Sequence, residues 1–276
     1  MMTCQVSIVA DTIRDGQRIT TMQLRYWRAI HAEVLTHRRF SRNASSSRAI
    51  PIQKFVEQVE TDLAMPSYWA ANQSGMSPTQ EVENKEAAEN WWRECANLAA
   101  RQARIGADLG LGKQVVNRVL EPYQYITVLV TSTEWDNFFA LRTDPAAQQE
   151  IQEIANAMKS ALENSTPVER NFHLPYVTDA EIGLVDGDLD LFRFMDLAKL
   201  SAARCCRVSY NKLDGSPSSF AEDMQRFERL VDPSHPLHAS PLEHQAVANH
   251  NVRSRNFFGW TQFREMWENQ HNPDQY

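Results

Sequence analysis

Residues 5–26 carry the pattern that most constrains the fold. Apolar residues alternate with polar ones from Val6 to Ala10 and again from Met22 to Tyr26. The dipeptide Asp15-Gly16 lies between the two stretches, and Asp-Gly is typical of the tight turn that joins antiparallel strands. The sequence therefore predicts a β-hairpin over residues 5–26.

Helical spacing of apolar residues predicts most of the other elements. A short helix is expected after Arg28, another from Pro51, and longer ones over 79–108, 136–161 and 191–208. A further helix begins at the capping box Ser219-x-x-Glu222. This last helix is expected to bury four apolar side chains: Phe220, Met224, Phe227 and Val231.

Four other segments lack a helical pattern. Residues 126–131 are β-branched and apolar and fit either a strand or a buried helix. Residues 36–48 are expected to be irregular because serine and asparagine disfavour helix, and residues 65–76 are expected to form a loop with an exposed Trp69. Residues 163–192 are polar, acidic and broken by proline and glycine. We interpret them as a linker within one domain, residues 1–276, joining an N-terminal part (1–162) to a C-terminal part (193–276).

Composition excludes several classes of protein. The chain has 276 residues, of which 42% are hydrophobic and 23% charged, which is typical of a globular protein with a sizeable core. Its net charge of -7 argues against binding nucleic acid over the whole surface. No apolar stretch reaches the length of a membrane span, no signal peptide is evident, and the four cysteines show no CxxC spacing. We therefore expect a reduced, cytoplasmic protein with no membrane or nucleic-acid partner.

The densest group of chemically active side chains lies at residues 36–48. It contains four arginines, four serines, His37 and Asn43. Guanidinium groups bind phosphate oxygens in a fork and hydroxyls fill the remaining positions, so this cluster is a candidate phosphate site. A solvated basic loop is the other interpretation that the composition allows.

Three further clusters follow along the chain. Asn117-Arg118 is one, and the aromatic run from Trp135 that ends in Arg142 is another. A partly buried arginine needs an anion or a carbonyl group as partner, and the structural alternative for Arg142 is a salt bridge with Asp136 or Glu150. The third, residues 238–244 (HASPLEH), lacks the HExxH spacing of a zinc site, so no metal site is predicted. The chain also lacks GxGxxG, GxxxxGK[ST] and GxSxG motifs.

Together these clusters resemble the flavin-dependent thymidylate synthase (ThyX) family. Its signature RHRxxSxNxxSxRY is similar to residues 36–48, THRRFSRNASSSR. Its later motifs, ending in N-x-x-x-x-R, are similar to residues 117–122 and 137–142, and its HAQxEIRxxA helix is similar to residues 144–155.

Two more family motifs stand in a different order from the usual one. The family places AARxSY and HxSPFEH before RHR, whereas this chain has similar segments at 202–210 and 238–244. The order is that of a circular permutation, an arrangement associated with phage-encoded members. The implied fold is α+β, with helices packed around a small, mainly antiparallel sheet.

The resemblance also implies roles for individual residues. Arg142 is the implied catalytic residue, lying at the uracil edge of dUMP and stabilising the N3-deprotonated base. The resemblance implies that FAD is contacted by His37, Arg38, Asn137 and Ser240, and that His238 lies on the folate side. It implies that dUMP, mostly through its phosphate, is bound by Ser46, Ser47, Arg48 and Arg118. The chain departs from the family pattern at Glu33, Thr36, Ala44 and Ala49.

The expected activity is reductive methylation of dUMP to dTMP with 5,10-methylenetetrahydrofolate, FAD and NADPH. The departures leave open a related enzyme that makes another C5-modified pyrimidine nucleotide, either a hydroxymethyl product or one derived from dCMP. A nucleotide-binding protein without flavin chemistry is a second alternative. The resemblance further implies a homotetramer with shared active sites, in the host cytoplasm if the protein is phage-encoded.

Overall fold

The chain folds into two small sheets with helices packed against them. The computed structural model describes residues 4–75, 79–183, 188–209, 219–232 and 239–271. The five-stranded sheet has the order β3-β4-β2-β1-β5 and the three-stranded sheet the order β6-β7-β8. The strands are β1 (Gln5–Arg14), β2 (Gln17–Trp27), β3 (Ser41–Ala44), β4 (Tyr125–Ser132), β5 (Val168–Glu169), β6 (Phe172–His173), β7 (Ala246–Ser254) and β8 (Phe257–Gln262). All pairings are antiparallel except that of β1 with β5.

Ten α-helices occur in the described residues, several of them a single turn long. They are α1 (His31–Val34), α2 (Ile52–Thr61), α3 (Lys85–Asp108), α4 (Lys113–Val116), α5 (Asp136–Arg142), α6 (Gln149–Glu163), α7 (Asp179–Ile182), α8 (Leu191–Cys205), α9 (Phe220–Leu230) and α10 (Phe263–His271). None of the helices in this part of the chain has both the length and the apolarity needed to cross a membrane. The α+β class is confirmed.

The predicted hairpin is confirmed as β1 and β2. Asp15 and Gly16 both have positive φ angles, 48° and 76°, as the tight turn between antiparallel strands requires. The segment 126–131 is a strand, because β4 lies between β2 and β3 and pairs with both. The face of β4 that carries Ile126, Val128 and Val130 packs in the same apolar cluster as Ile151 and Ile154 of α6, which explains why this face is apolar.

Two burial predictions are wrong. Trp69 is buried, because the loop folds back so that Val82 donates its backbone N–H to the Trp69 carbonyl, and the Trp69 ring lies edge-on to Trp92. Phe220 is 62% exposed. It directly follows the Ser219 N-cap, and the inner face of α9 is formed instead by Asp223, Phe227 and Leu230.

Three predicted segments differ in their bounds. The helix expected over 79–108 starts at Lys85, where the Asn84 side chain accepts a hydrogen bond from the Ala87 N–H. The helix expected over 136–161 is divided into α5 and α6, since Pro145 disfavours helical backbone at Asp144. The irregular segment 36–48 contains the short strand β3.

The segment expected to be a linker contributes a strand to each sheet. Within 163–192, β5 pairs with β1 and β6 pairs with β7, and Phe172 and His173 are buried. The division of the chain at this segment stays a prediction.

Separate apolar clusters support the two ends of β3 and β4. At one end, α5 and α6 pack on the large sheet through residues such as Phe138 and Ile154. At the other, α2 and α3 pack together through Phe55 and Ala100. This arrangement fixes the loop before β3 against the start of α5.

Candidate active site

A cleft of about 800 Å³ lies where the loop before β3 meets α5. Four residues predicted from the sequence line it: His37, Arg38, Asn137 and Arg142. They come from two motifs that are about a hundred positions apart in the chain. The structure therefore brings the basic cluster and the end of the aromatic run into one site.

All three guanidinium nitrogens of Arg142 donate hydrogen bonds to other side chains of the protein. Its Nε donates to Nε2 of His37 at 2.9 Å, Nη1 donates to the Glu33 carboxylate at 3.3 Å, and Nη2 donates to the Thr36 hydroxyl at 3.3 Å. All three partners lie on or next to α1. The side chain thus ties the end of α5 to α1 and to the first residues of the basic cluster.

The salt-bridge partner of Arg142 is Glu33, so the structural alternative of Asp136 or Glu150 is wrong. Asp136 lies six positions earlier on α5, which places it roughly 240° around the helix from Arg142. The Glu150 carboxylate is occupied elsewhere, accepting from the Ser67 N–H and from the Gln148 amide. Glu33 was singled out only as a departure from the family pattern, and its contact with Arg142 crosses 109 positions.

His37 is buried and neutral. Burial, together with the nearby charges of Arg142 and Arg42, lowers the pKa of the imidazole below its usual value. Because Arg142 donates to Nε2, the ring proton resides on Nδ1. The ring also packs edge-on against Phe138, with centroids 4.8 Å apart. The site thus holds a histidine of fixed tautomer and orientation.

The cleft wall combines aromatic rings with cations. Trp135 lines the cleft, and its buried indole N–H has no hydrogen-bond partner among the residues that the structure describes. Arg39 lies 3.5 Å from the Glu134 carboxylate, which Arg253 also contacts, whereas Arg38 makes no ion pair with any residue that the structure describes. The uncommitted guanidinium of Arg38 is a group that an anionic ligand would satisfy.

The predicted phosphate ligands lie at the opposite end of β3. Ser47 is buried, and its carbonyl accepts from the Asn117 amide at 2.7 Å, while Arg48 and Arg118 are exposed. Arg118 pairs with Glu121 at 2.8 Å. Ser46 lies in the same turn. Since β3 is an extended strand of four residues, this group is separated from the cleft by roughly 13 Å of strand.

The C-terminal motif segments pack on β3 at Asn43. Its side-chain oxygen accepts from the Ser240 hydroxyl at 3.2 Å, and its amide donates to the Cys205 carbonyl at 2.7 Å. Ser240 is not among the residues that line the cleft, and His238 lies outside the described residues. Ser240 thus contacts the basic cluster at Asn43, while its implied contact with FAD stays a prediction.

A buried chain of hydrogen bonds was not predicted from the sequence. The His173 ring lies between two threonine hydroxyls, with Nδ1 2.9 Å from Thr12 and Nε2 2.7 Å from Thr21. The Thr21 hydroxyl lies 2.7 Å from that of Thr131, which in turn lies 2.8 Å from Nδ1 of His244. Burial lowers the pKa of both histidines to about 3, so both are neutral at physiological pH. The chain joins three strands of the large sheet to β6 and to the HASPLEH segment.

No local signal could have revealed this buried chain, because its contacts join residues 110 to 161 positions apart. Among the described residues, no group of three or more His, Cys, Asp or Glu side chains is arranged to hold a metal ion.

Comparison with known proteins identifies the family. The family described as "Thymidylate synthase complementing protein" (Thy1) matches residues 19–168, a range that contains both the cleft and the group of predicted phosphate ligands. No curated protein matches the chain.

Two solved structures match the chain at low similarity. A UMP/dUMP methylase, PolB from Streptomyces cacaoi, bound with 5-Br dUMP, is 15% identical, with 58% of this chain and 89% of that chain covered and a TM-score of 0.49. The same methylase bound with 5-Br UMP gives 15% identity, 58% and 88% coverage and a TM-score of 0.47. The family match spans more than half of the 276 residues, and the chain belongs to the thymidylate synthase complementing protein (ThyX) family.

Proposed function

We propose that the protein is a flavin-dependent methylase that converts dUMP to dTMP, with 5,10-methylenetetrahydrofolate as carbon donor and NADPH as reductant. The observation that carries this proposal is the contact between Arg142 and His37 inside a cleft of about 800 Å³. Membership of the ThyX family supports the reaction class.

The cleft residues fit a flavin. Arg38 offers a guanidinium for the pyrophosphate, and Trp135 and Asn137 line the same wall. His37 contributes a hydrogen bond rather than a charge, since its lowered pKa keeps it neutral. Ser240 and His238 complete the proposed cofactor contacts, with His238 on the folate side. FAD reduced by NADPH would supply the hydride that completes the methyl group.

Arg142 is the proposed catalytic residue. Uracil C5 becomes nucleophilic when negative charge on the ring is stabilised, and a guanidinium donates two parallel hydrogen bonds to the O2 and N3 edge. The Nη1 and Nη2 contacts to Glu33 and Thr36 are 3.3 Å long, beyond the usual range of about 2.7–3.2 Å. We propose that these two nitrogens exchange their contacts with Glu33 and Thr36 for contacts with the base while Nε stays on His37.

The proposed phosphate ligands support active sites shared between subunits. Ser46, Ser47, Arg48 and Arg118 lie at the far end of β3 from Arg142, roughly 13 Å of strand away, and this separation favours sites that combine the two groups from different subunits. We propose that they bind the dUMP phosphate in the cleft of another copy within a homotetramer.

Mixing inactive variants tests this arrangement. Arg142→Ala and Arg118→Ala are each expected to be inactive alone, and co-assembled subunits are expected to regain activity because some sites then contain both arginines. No recovery in a confirmed mixed oligomer would contradict shared sites.

A second candidate function is the modification of a cytosine nucleotide. Glu33 replaces the family's glutamine and contacts Arg142 through its carboxylate, and a carboxylate accepts from the exocyclic amine of cytosine. A hydroxymethyl product is a further variant of this alternative.

A substrate panel with product mass analysis separates the candidates. The protein is supplied with FAD, NADPH and 5,10-methylenetetrahydrofolate and offered dUMP, UMP and dCMP. The proposal predicts that dUMP gains one CH₂ group. A hydroxymethyl product, or turnover of dCMP alone, would support the second candidate. Nucleotide binding with no turnover and no bound flavin would support a binding protein without flavin chemistry.

A further inference from the structure

One face of α3 carries large apolar side chains that are at least half exposed in the part of the chain that the structure describes. Ala96, Ala100 and Ala103 are buried against α2 on the inner face. On the outer face Trp91, Leu98 and Ile105 are 59%, 51% and 50% exposed. Their spacing of seven residues aligns them along one side of the helix, about 140° from the buried alanines. Aligned exposed apolar side chains of this size mark an interaction surface.

Two opposite charges flank this apolar seam on the same side. Glu94 and Arg101 border a groove of about 710 Å³ together with Trp91 and Leu98. Neither charge makes an ion pair with a residue that the structure describes. Because the two residues are also seven positions apart, they lie on one flank of the helix, one on each side of Leu98.

This pattern is complementary to itself when the helix is reversed. A twofold axis beside Leu98 places Trp91 of one copy over Ile105 of the other, because 91 and 105 are equally distant from 98. The same axis brings Glu94 of each copy within one residue, about 1.5 Å along the helix axis, of the level of Arg101 of the other, a distance that long charged side chains span. In an antiparallel pair, the flank that carries Glu94 and Arg101 meets the same flank of the other helix. In a parallel pair, it would meet the other flank of that helix, on the side of Cys95. The charges therefore select the antiparallel arrangement.

We infer that the outer face of α3 binds the same face of a second copy of this chain, antiparallel, with Leu98 at the twofold axis. The inference names one contact surface of the proposed oligomer but does not rest on its catalytic activity. Two mutual ion pairs, Glu94 to Arg101 and the reverse, fix the register of the two helices.

Charge reversal tests the pairing by light scattering coupled to gel filtration. Glu94→Arg alone, or Arg101→Glu alone, places like charges opposite each other and is expected to reduce the molar mass at least twofold. The double variant Glu94→Arg/Arg101→Glu restores complementarity and is expected to recover the wild-type mass. Leu98→Glu places two carboxylates at the axis and is expected to dissociate the pair.

A matched control uses the other side of α3. Arg93 lies about 160° around the helix from Trp91 and pairs with Glu89 within the chain, so Arg93→Glu is expected to leave the mass unchanged. Circular dichroism verifies that each variant is folded. A monomeric wild-type chain, single reversals without effect in folded protein, or a double variant that stays dissociated would each overturn the inference.

Discussion

Nε of Arg142 donates a hydrogen bond to Nε2 of His37 at 2.9 Å across 105 positions of sequence. This contact fixes the tautomer of the histidine and anchors the guanidinium at the end of α5. It also leaves the two remaining nitrogens on longer contacts to Glu33 and Thr36. The proposed chemistry depends on this combination of one firm contact and two that can exchange.

Replacing Arg142 tests its catalytic role. Arg142→Ala is expected to lower kcat for dUMP by about 10²–10³-fold, the cost of losing one donor to a developing anion. Arg142→Lys is expected to recover only part of this loss, since an ammonium does not donate a planar pair of hydrogen bonds. Thermal melting verifies that both variants fold. Turnover close to wild type in Arg142→Ala would make the residue a structural partner of Glu33 only.

Glu33→Gln tests the competition between Glu33 and the substrate for Arg142. Removing the carboxylate frees Nη1, and a partly exposed ion pair of this kind contributes up to about 1 kcal/mol. We therefore expect dUMP to bind up to about fivefold more tightly, measured by calorimetry, with dCMP binding weakened relative to dUMP. Weaker dUMP binding would show that Glu33 positions Arg142 productively.

Arg38→Ala is expected to weaken FAD binding, because Arg38 is the cleft guanidinium proposed to meet the pyrophosphate. His37→Ala is expected to weaken it as well, through loss of a hydrogen bond and of the Arg142 anchor. Equilibrium dialysis measures both, with Arg229→Ala on the exposed side of α9 as the control. Unchanged affinity in both cleft variants would place the flavin elsewhere.

Stability is expected to fall below about pH 6.5 because of His173 and His244. Their pKa is about 3 in the folded protein and about 6.5 in the unfolded chain. Between these two pKa values the unfolded chain binds more protons than the folded protein. Each histidine therefore lowers the free energy of unfolding by up to about 1.4 kcal/mol for each pH unit by which the pH falls.

Urea unfolding at several pH values measures this dependence. Replacing His244 by Gln is expected to reduce the slope of the unfolding free energy against pH by up to about 1.4 kcal/mol per pH unit, which corresponds to one proton. An unchanged slope would show that His244 is already protonated in the folded state.

Local sequence patterns were sufficient to predict the elements whose structure depends on residues close together in the sequence. Alternation around Asp15-Gly16 predicted the hairpin, and the Ser219-x-x-Glu222 box predicted the start of α9. Burial of Trp69 was missed because it depends on Trp92, a residue on another element.

At the candidate site too, sequence patterns predicted individual residues but not their contacts with distant parts of the chain. The basic cluster and Arg142 were predicted from motifs, but Glu33 as partner of Arg142 follows only from how α1 meets α5. The hydrogen bonds from Thr12 to His244 join strands that are far apart in sequence, so the three-dimensional packing alone reveals them.

The visible absorption spectrum of the protein mixed with FAD tests the central proposal most directly. After gel filtration under anaerobic conditions, the protein is predicted to retain the band of oxidised flavin and to lose it when NADPH is added. Adding dUMP with 5,10-methylenetetrahydrofolate is predicted to restore the band as the product forms. A protein that stays colourless, or a reduced flavin that the two substrates do not reoxidise, would contradict a flavin-dependent methylase.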